Sequence, residues 1–341
     1  MPFNEAGECV FTSEKDKYAR ITYQVNFTND KHAINEDITA IEPKDIPNHD
    51  LLLGGFPCQP FSNAGKRLGF EDVGNRGTLF FNIVKILHEK KPSMFLLENV
   101  PTLRTQNRGK TFERVLEELG HHLQFDLLKP RSQLNYHVVV VKLNSRQFGI
   151  PQNRRRLYIL GLCRERYKKD FKTIEQQIKK LEKRKYTEIN LSGVLCDNPE
   201  IGDFDDYVIS KKIWASHKRR KRENKKNGKG FGYSVVNRND LYTRTMSARY
   251  YKDGSEILVG KEGAHLNKCP RMLFPREAAR LQGFPDDFII NKVSRNQIYR
   301  QFGNSVCVPL VQEIASVVIP YLGSGVPSGT SIKALNSRNV A

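Results

Sequence analysis

Three short stretches of this 341-residue chain carry side chains suited to chemistry as much as to packing. The first is Gly54-Gly55-Phe56-Pro57-Cys58-Gln59-Pro60-Phe61-Ser62. A thiolate is the strongest nucleophile available near neutral pH, and Cys58 stands beside a rigid Pro57 and two permissive glycines, which suits covalent catalysis. A lone cysteine is otherwise a small buried hydrophobe. The second stretch is Glu98-Asn99-Val100, closing the apolar run from Met94. A carboxylate there has few structural uses beyond a helix cap or a solvated surface. The third is Gln152-Asn153-Arg154-Arg155-Arg156. If it opens a strand, Gln152, Arg154 and Arg156 project to one face as a polar comb, which reads as a site for an anion or a base.

The elements that must position these residues follow from apolar runs and periodicity. Residues 9–12, 51–56, 94–100, 136–143 and 156–162 are short apolar runs of the kind buried parallel strands show. Between them, Gly77 to His88 places Leu79, Phe80, Ile83, Val84 and Leu87 on one helical face, and Thr111 to Gly120 repeats the pattern. Alternating strands and helices predict an α/β unit with a mostly parallel sheet, and ligands of such sheets bind beyond the carboxyl ends of the strands.

After Glu165 the pattern changes to a charged helical stretch, a polar segment from Cys196 to Asp206, the basic run Lys218 to Arg222, and short β-like pieces at 234–236 and 256–259. This predicts a second, smaller, mainly β domain over 166–290, after a first domain over 1–165. A strongly apolar helix, Gly303 to Leu322, returns to the first domain within 291–322, and a Ser- and Gly-rich tail fills 323–341.

Composition narrows the partners. Lys and Arg number 56 against 37 Asp and Glu, a formal charge of +19, with 38% hydrophobic and 27% charged residues. Those are globular values, and the charge favours a polyanion, most often nucleic acid. No apolar run approaches the ~18 residues of a membrane span, and Met1 to Glu8 shows no signal peptide. The six cysteines fall into no C-x-x-C spacing, so no metal site and no disulfide framework is expected.

The motifs together resemble the DNA (cytosine-5) methyltransferases. GGFPCQPFS, Arg76 to Phe81 (RGTLFF), Glu98-Asn99-Val100, Gln152-x-Arg154-x-Arg156, Pro275 to Pro285 (PREAARLQGFP) and Arg300 to Val306 (RQFGNSV) stand in that family's order, from about Glu8 to about Leu322. The resemblance implies a Rossmann-like sheet using S-adenosylmethionine and a target-recognition domain. It implies that Cys58 attacks C6 of a flipped cytosine in double-stranded DNA, that Glu98 bonds the ring at N3, and that Arg154 and Arg156 position thiol and base. For the cofactor it implies Glu14 at the ribose, Asp37 at the adenine amino group, and Pro57, Leu79 and Asn304 nearby. DNA contacts are expected from Ser62, Gln152, Arg244, Ser247 and Arg249, the last three within Thr243 to Tyr251. The setting implied is a bacterial restriction–modification system, cytoplasmic and nucleoid-associated. The enzyme would act as a monomer whose cognate endonuclease is a functional rather than physical partner.

One feature departs from the family. Members carry a glycine-rich turn ahead of the acid that Glu14 resembles, and here Met1 to Gly7 (MPFNEAG) stands instead. The readings are a misplaced start, a second polypeptide that supplies the missing strand, or a remnant that binds DNA without methylating it. A tRNA cytosine-5 methyltransferase is the alternative from the same fold. A cysteine hydrolase is weaker, because His88, His121, His122 and His137 occupy no pairing motif.

Overall fold

The computed structural model describes residues 7–57, 78–120, 134–230, 232–260 and 269–322. The chain opens with β1 (Thr12–Ser13), α1 (Lys17–Asn26) and β2 (Ile34–Asn35), in which the two strands pair in parallel across the helix. Asp16 starts α1 by accepting the backbone N–H groups of Tyr18 and Ala19, which otherwise lack helical partners.

Next come β3 (Leu51–Gly55), α2 (Thr78–Lys90), β4 (Met94–Asn99), α3 (Lys110–Glu118), β5 (Tyr136–Asn144) and β6 (Arg155–Cys163). They form one sheet in the order β3-β4-β6-β5. β3 and β4 are parallel, whereas β6 runs antiparallel to both β4 and β5. The sheet is therefore mixed rather than mostly parallel. A parallel return needs a crossover of about a dozen residues or more, usually helical, and 145–154 offers only the turn Ser145–Phe148.

Both faces of the sheet are covered, which explains its unbroken apolar runs. On one side Leu96, Val139, Val141, Tyr158 and Leu160 meet α4 (Phe171–Glu182) through Ile174 and Ile178, and the C-terminal helix through Leu310, Ile314 and Val318. On the other, Phe95, Leu97, Leu157 and Ile159 meet Phe80, Val84 and Leu87 of α2 and Val115 and Leu119 of α3. Gly161 makes room for this packing, since a Cβ there would lie 2.0 Å from the Phe95 ring. α4, expected in the second domain, thus packs on the sheet.

The second core runs from Leu191 to Phe302 and gathers Met246, Tyr250, Ile257, Leu273, Ala278 and Tyr299. Its elements are α5 (Lys211–Lys226), the parallel pair β7 (Val235–Val236) and β8 (Leu258–Val259), α6 (Pro275–Arg280) and α7 (Arg295–Asn304). Much of it is irregular chain pinned by polar ties. Arg271 donates to both carboxylate oxygens of Glu277 at 2.7 and 2.8 Å, and the N–H groups of Cys196 and Phe274 bind the same carboxylate at 2.8 and 2.7 Å.

The apolar segment expected as one helix from Gly303 is divided. α7 ends at Asn304, where the Ser305 hydroxyl donates to the Phe302 carbonyl at 2.9 Å, and α8 (Val308–Leu322) begins afresh. The stretch 295–322 is long and apolar enough, by composition, to cross a membrane. Its apolar part, α8, has 15 residues, short of the ~20 a span requires, and it buries Leu310, Ile314 and Val318 on the sheet.

Candidate active site

β3 and β4 end side by side, with Gly55 opposite Glu98 in the parallel register. The missing side chain of Gly55 lets the Glu98 carboxylate lie along it, with Oε2 3.7 Å from where a Cβ would stand. Buried Asn99 ties the two exits together. Its Nδ2 donates to the Phe56 carbonyl at 2.8 Å, and its Oδ1 accepts the Val100 N–H at 2.8 Å. The chain leaving β3 toward Cys58 is thereby fixed next to Glu98. Cys58 and Ser62 themselves lie outside the described residues, and Pro57 is exposed at their edge.

Antiparallel β6 brings Arg156 to the same place. Its Nε sits 2.9 Å from Glu98 Oε1, with the two side chains only 14% and 24% exposed. Burial nevertheless raises the Glu98 carboxyl above the usual carboxylate range, against the opposing pull of Arg156 and then Arg154. A carboxyl so placed can hold a proton and release it, as acid–base work demands.

β6 begins at Arg155, so Arg154 lies just before the strand that carries Arg156, and the two arginines do different things. Arg154 is 2% exposed, and its Nη1 donates to the Met246 carbonyl at 3.0 Å. Its Nη2 donates to the carbonyls of Gly303 at 3.0 Å and Ser305 at 2.7 Å. Burial, and then repulsion by Arg156, pushes it down to about 10, so it stays charged at neutral pH. The guanidinium joins the sheet, the second core and the α7–α8 junction at one point. Gly303 makes that approach possible, because a Cβ would lie 2.4 Å from the Ser247 backbone.

Gln152 corrects the sequence expectation. It is fully buried, its Nε2 donates to the Leu281 carbonyl at 2.7 Å and its Oε1 accepts the Met246 N–H at 2.9 Å. Its amide is spent inside the protein rather than offered to DNA, because Gln152 precedes β6 and lies in a bridge with Thr243. Arg244 and Arg249 are exposed, with Arg244 Nη1 donating to the Gly232 carbonyl at 2.7 Å. Half-buried Ser247 donates to Glu256 at 2.5 Å.

Glu14 and Asp37 follow the carboxyl ends of the parallel pair β1–β2. Glu14 is exposed and accepts the Asp16 N–H at 2.7 Å. Asp37 accepts from Thr39 and from Lys15, which together hold it down at about 2. Both carboxyls offer acceptor oxygens, the chemistry a ribose diol and an adenine amino group require of their partners. Leu79 is half-buried on α2 and Asn304 exposed at the end of α7. Sequence spacing missed a neighbouring cluster, in which ligand atoms of Cys9, Asp30 and His32 lie within 4.8 Å of one another. Thr12 and Tyr23 hydrogen-bond into it.

The described site is thus a half-buried acid–arginine pair beside the exit of β3 in an α/β sheet, with a second core tied to the same strand through Arg154. The model of the C-5 cytosine-specific DNA methylases matches residues 1–319, and the chain belongs to that family. It is 47% identical over 324 residues to the type II methyltransferase M1.ScrFI of Lactococcus lactis subsp. cremoris, covering 93% of this chain and 74% of the relative. It is 47% identical over 307 residues to M.NlaX of Neisseria lactamica, covering 90% and 87%. The Dnmt2 methyltransferase of S. pombe shares the fold, with a TM-score of 0.65 at 19% identity and 94% of each chain covered.

Proposed function

We propose that this DNA-cytosine methyltransferase moves a methyl group from S-adenosylmethionine to C5 of a cytosine flipped out of a specific duplex sequence, through a covalent bond from Cys58. The observation that carries the reading is the Glu98–Arg156 pair, half-buried beside the exit of β3, where burial raises the carboxyl. A protonated carboxyl can donate to N3 of the ring and offset the negative charge that develops when a thiolate adds to C6. That addition forms the S–C6 bond and moves the C5–C6 electron pair onto C5. After methylation, loss of the C5 proton restores the double bond and expels the thiolate. Arg156 holds the carboxyl in place, and Arg154 holds the strand that carries Arg156 against the second core. Glu14 and Asp37 would hold the ribose and adenine of the cofactor, whose sulfonium supplies an electrophilic methyl group. The target atom lies inside the stacked duplex, so flipping is required for access.

Radiolabelled methyl incorporation tests the reading with three substrates, namely unmethylated genomic DNA, the same DNA made single-stranded, and bulk tRNA. Label at C5 of cytosine in the duplex supports it. Label confined to tRNA overturns the choice of substrate, and label at the exocyclic amine overturns the thiol mechanism.

A further inference from the structure

α5 spends its sequence on charge in a way its own stability does not explain. Lys or Arg stands at 211, 212, 218–222, 225 and 226, all exposed, with Glu223 as the one acid in the helix. Like charges at 218/222, 221/225 and 222/226 repel along the helix, and Lys211 and Lys212 crowd its positive end. A merely solvated helix would be better served by mixed charges.

One face of α5 is docked. His217 is buried, its Nε2 donates to the Asp253 carbonyl at 3.0 Å, and Arg220 reaches the Asp253 carboxylate at 3.2 Å. Trp214 packs edge-on to Tyr233 at 4.7 Å, and Lys221 lies over the same ring at 4.3 Å. With Trp214, His217, Lys221 and half-buried Asn224 on the seam, the 3.6-residue period turns Lys212, Arg219, Arg222 and Lys226 outward on the opposite face. The helix is also joined to the segment expected to read bases. Arg244 binds the Gly232 carbonyl, and Gly232 lies so close to α5 that a Cβ would stand 2.9 Å from Lys221 Cγ.

We propose that the outward face of α5 is a phosphate rail for duplex DNA, extending the bound length away from Arg244. The inference rests on the DNA substrate assigned above. A helix of 16 residues is about 24 Å long, the span of about seven base pairs at ~3.4 Å each. Side chains on such a rail add affinity and register without reading sequence.

The test is the salt dependence of binding of the full-length chain to a random-sequence duplex of about 30 bp, where only the electrostatic contribution operates. The variant carries Lys212→Gln, Arg219→Gln, Arg222→Gln and Lys226→Gln together. Each lost phosphate contact lowers the slope of log K against log salt by ~0.9, so the variant's slope is expected to be shallower by about 2 to 4. The charge-preserving swap Lys212→Arg, Arg219→Lys, Arg222→Lys and Lys226→Arg keeps the wild-type slope, which separates charge from fold. Lys168→Gln with Lys169→Gln, removing charge elsewhere, also keeps it. A Gln variant that retains the wild-type slope overturns the rail, as does one that loses tRNA retention while its duplex slope is unchanged. Failure of the wild-type chain to bind duplex at all overturns the DNA reading instead.

Discussion

Two of the Arg–Glu pairs among the described residues, Arg156–Glu98 at the sheet and Arg271–Glu277 in the second core, are built to opposite ends. In the second core Glu277 is fully buried, and Arg271 and the N–H groups of Cys196 and Phe274 all point at its carboxylate. The guanidinium also lies 3.8 Å over the Phe274 ring. A carboxylate so surrounded staples irregular chain together. At the end of the sheet, Arg156 Nε lies 2.9 Å from Glu98, which keeps 24% of its side chain exposed and has its carboxyl raised by burial. The same two residue types thus give a fixed staple in one place and an acid that can exchange its proton in the other. Among the described residues, one arginine and two backbone N–H groups meet the Glu277 carboxylate, and Arg156 meets Glu98.

The sharpest way to break that comparison is Glu98→Gln. Glutamine keeps the shape and can still donate to a ring nitrogen but has no proton to give, and methyl transfer should fall by about 10²- to 10⁴-fold, the usual contribution of a positioned acid. The carboxyl is raised, so its protonated fraction, and with it the wild-type rate, falls as pH rises through that raised value. A pH–rate profile should show this limb in the wild type and lose it in the variant. A Glu98→Gln enzyme with an unchanged rate would remove Glu98 from the chemistry.

Glu277→Ala probes the other pair, and its cost should appear in stability. It leaves Arg271 buried without its counter-charge, at about 3–5 kcal/mol. Thermal unfolding should move down by about 10 °C on the slope usual for chains of this size. A shift below a degree or two would mean the staple is not structural. Gly303→Ala should have the smallest effect of the series. The new methyl group meets the Ser247 backbone beside the carbonyls that Arg154 holds, at about 1–3 kcal/mol of overpacking. Urea unfolding measures this, and a neutral result would show that the junction gives way freely.

The two regions also differ in how much of them was legible in the sequence. The strands β3 to β6 fall within about a residue or two of their apolar runs, and for β4, β5 and β6 the reason is that a strand covered on both faces has to be largely apolar along its length. Strand direction was not legible, since an apolar run reads the same both ways. The reversal of β6 is settled by the connection 145–154, too short for a helical crossover. The second core was hardly legible at all. It is assembled from isolated residues such as Leu191, Met246, Tyr250 and Tyr299, held by turns and polar ties that leave no periodic pattern. At the site, the placement of Glu98 and Arg156 near neighbouring strand ends was readable from the apolar runs. The burial of Gln152 was not, because its partners, the Leu281 carbonyl and the Met246 N–H, are far away in sequence.

The covalent bond proposed between Cys58 and C6 of cytosine can be caught by a trap. Fluorine at C5 blocks the final loss of the C5 substituent, so 5-fluorocytosine DNA and radiolabelled S-adenosylmethionine should leave a labelled protein–DNA adduct on a denaturing gel. The wild-type chain is predicted to form the adduct, and Cys58→Ala to form none and to transfer no methyl group. An adduct that survives Cys58→Ala, or methyl transfer that persists in that variant, would contradict the account.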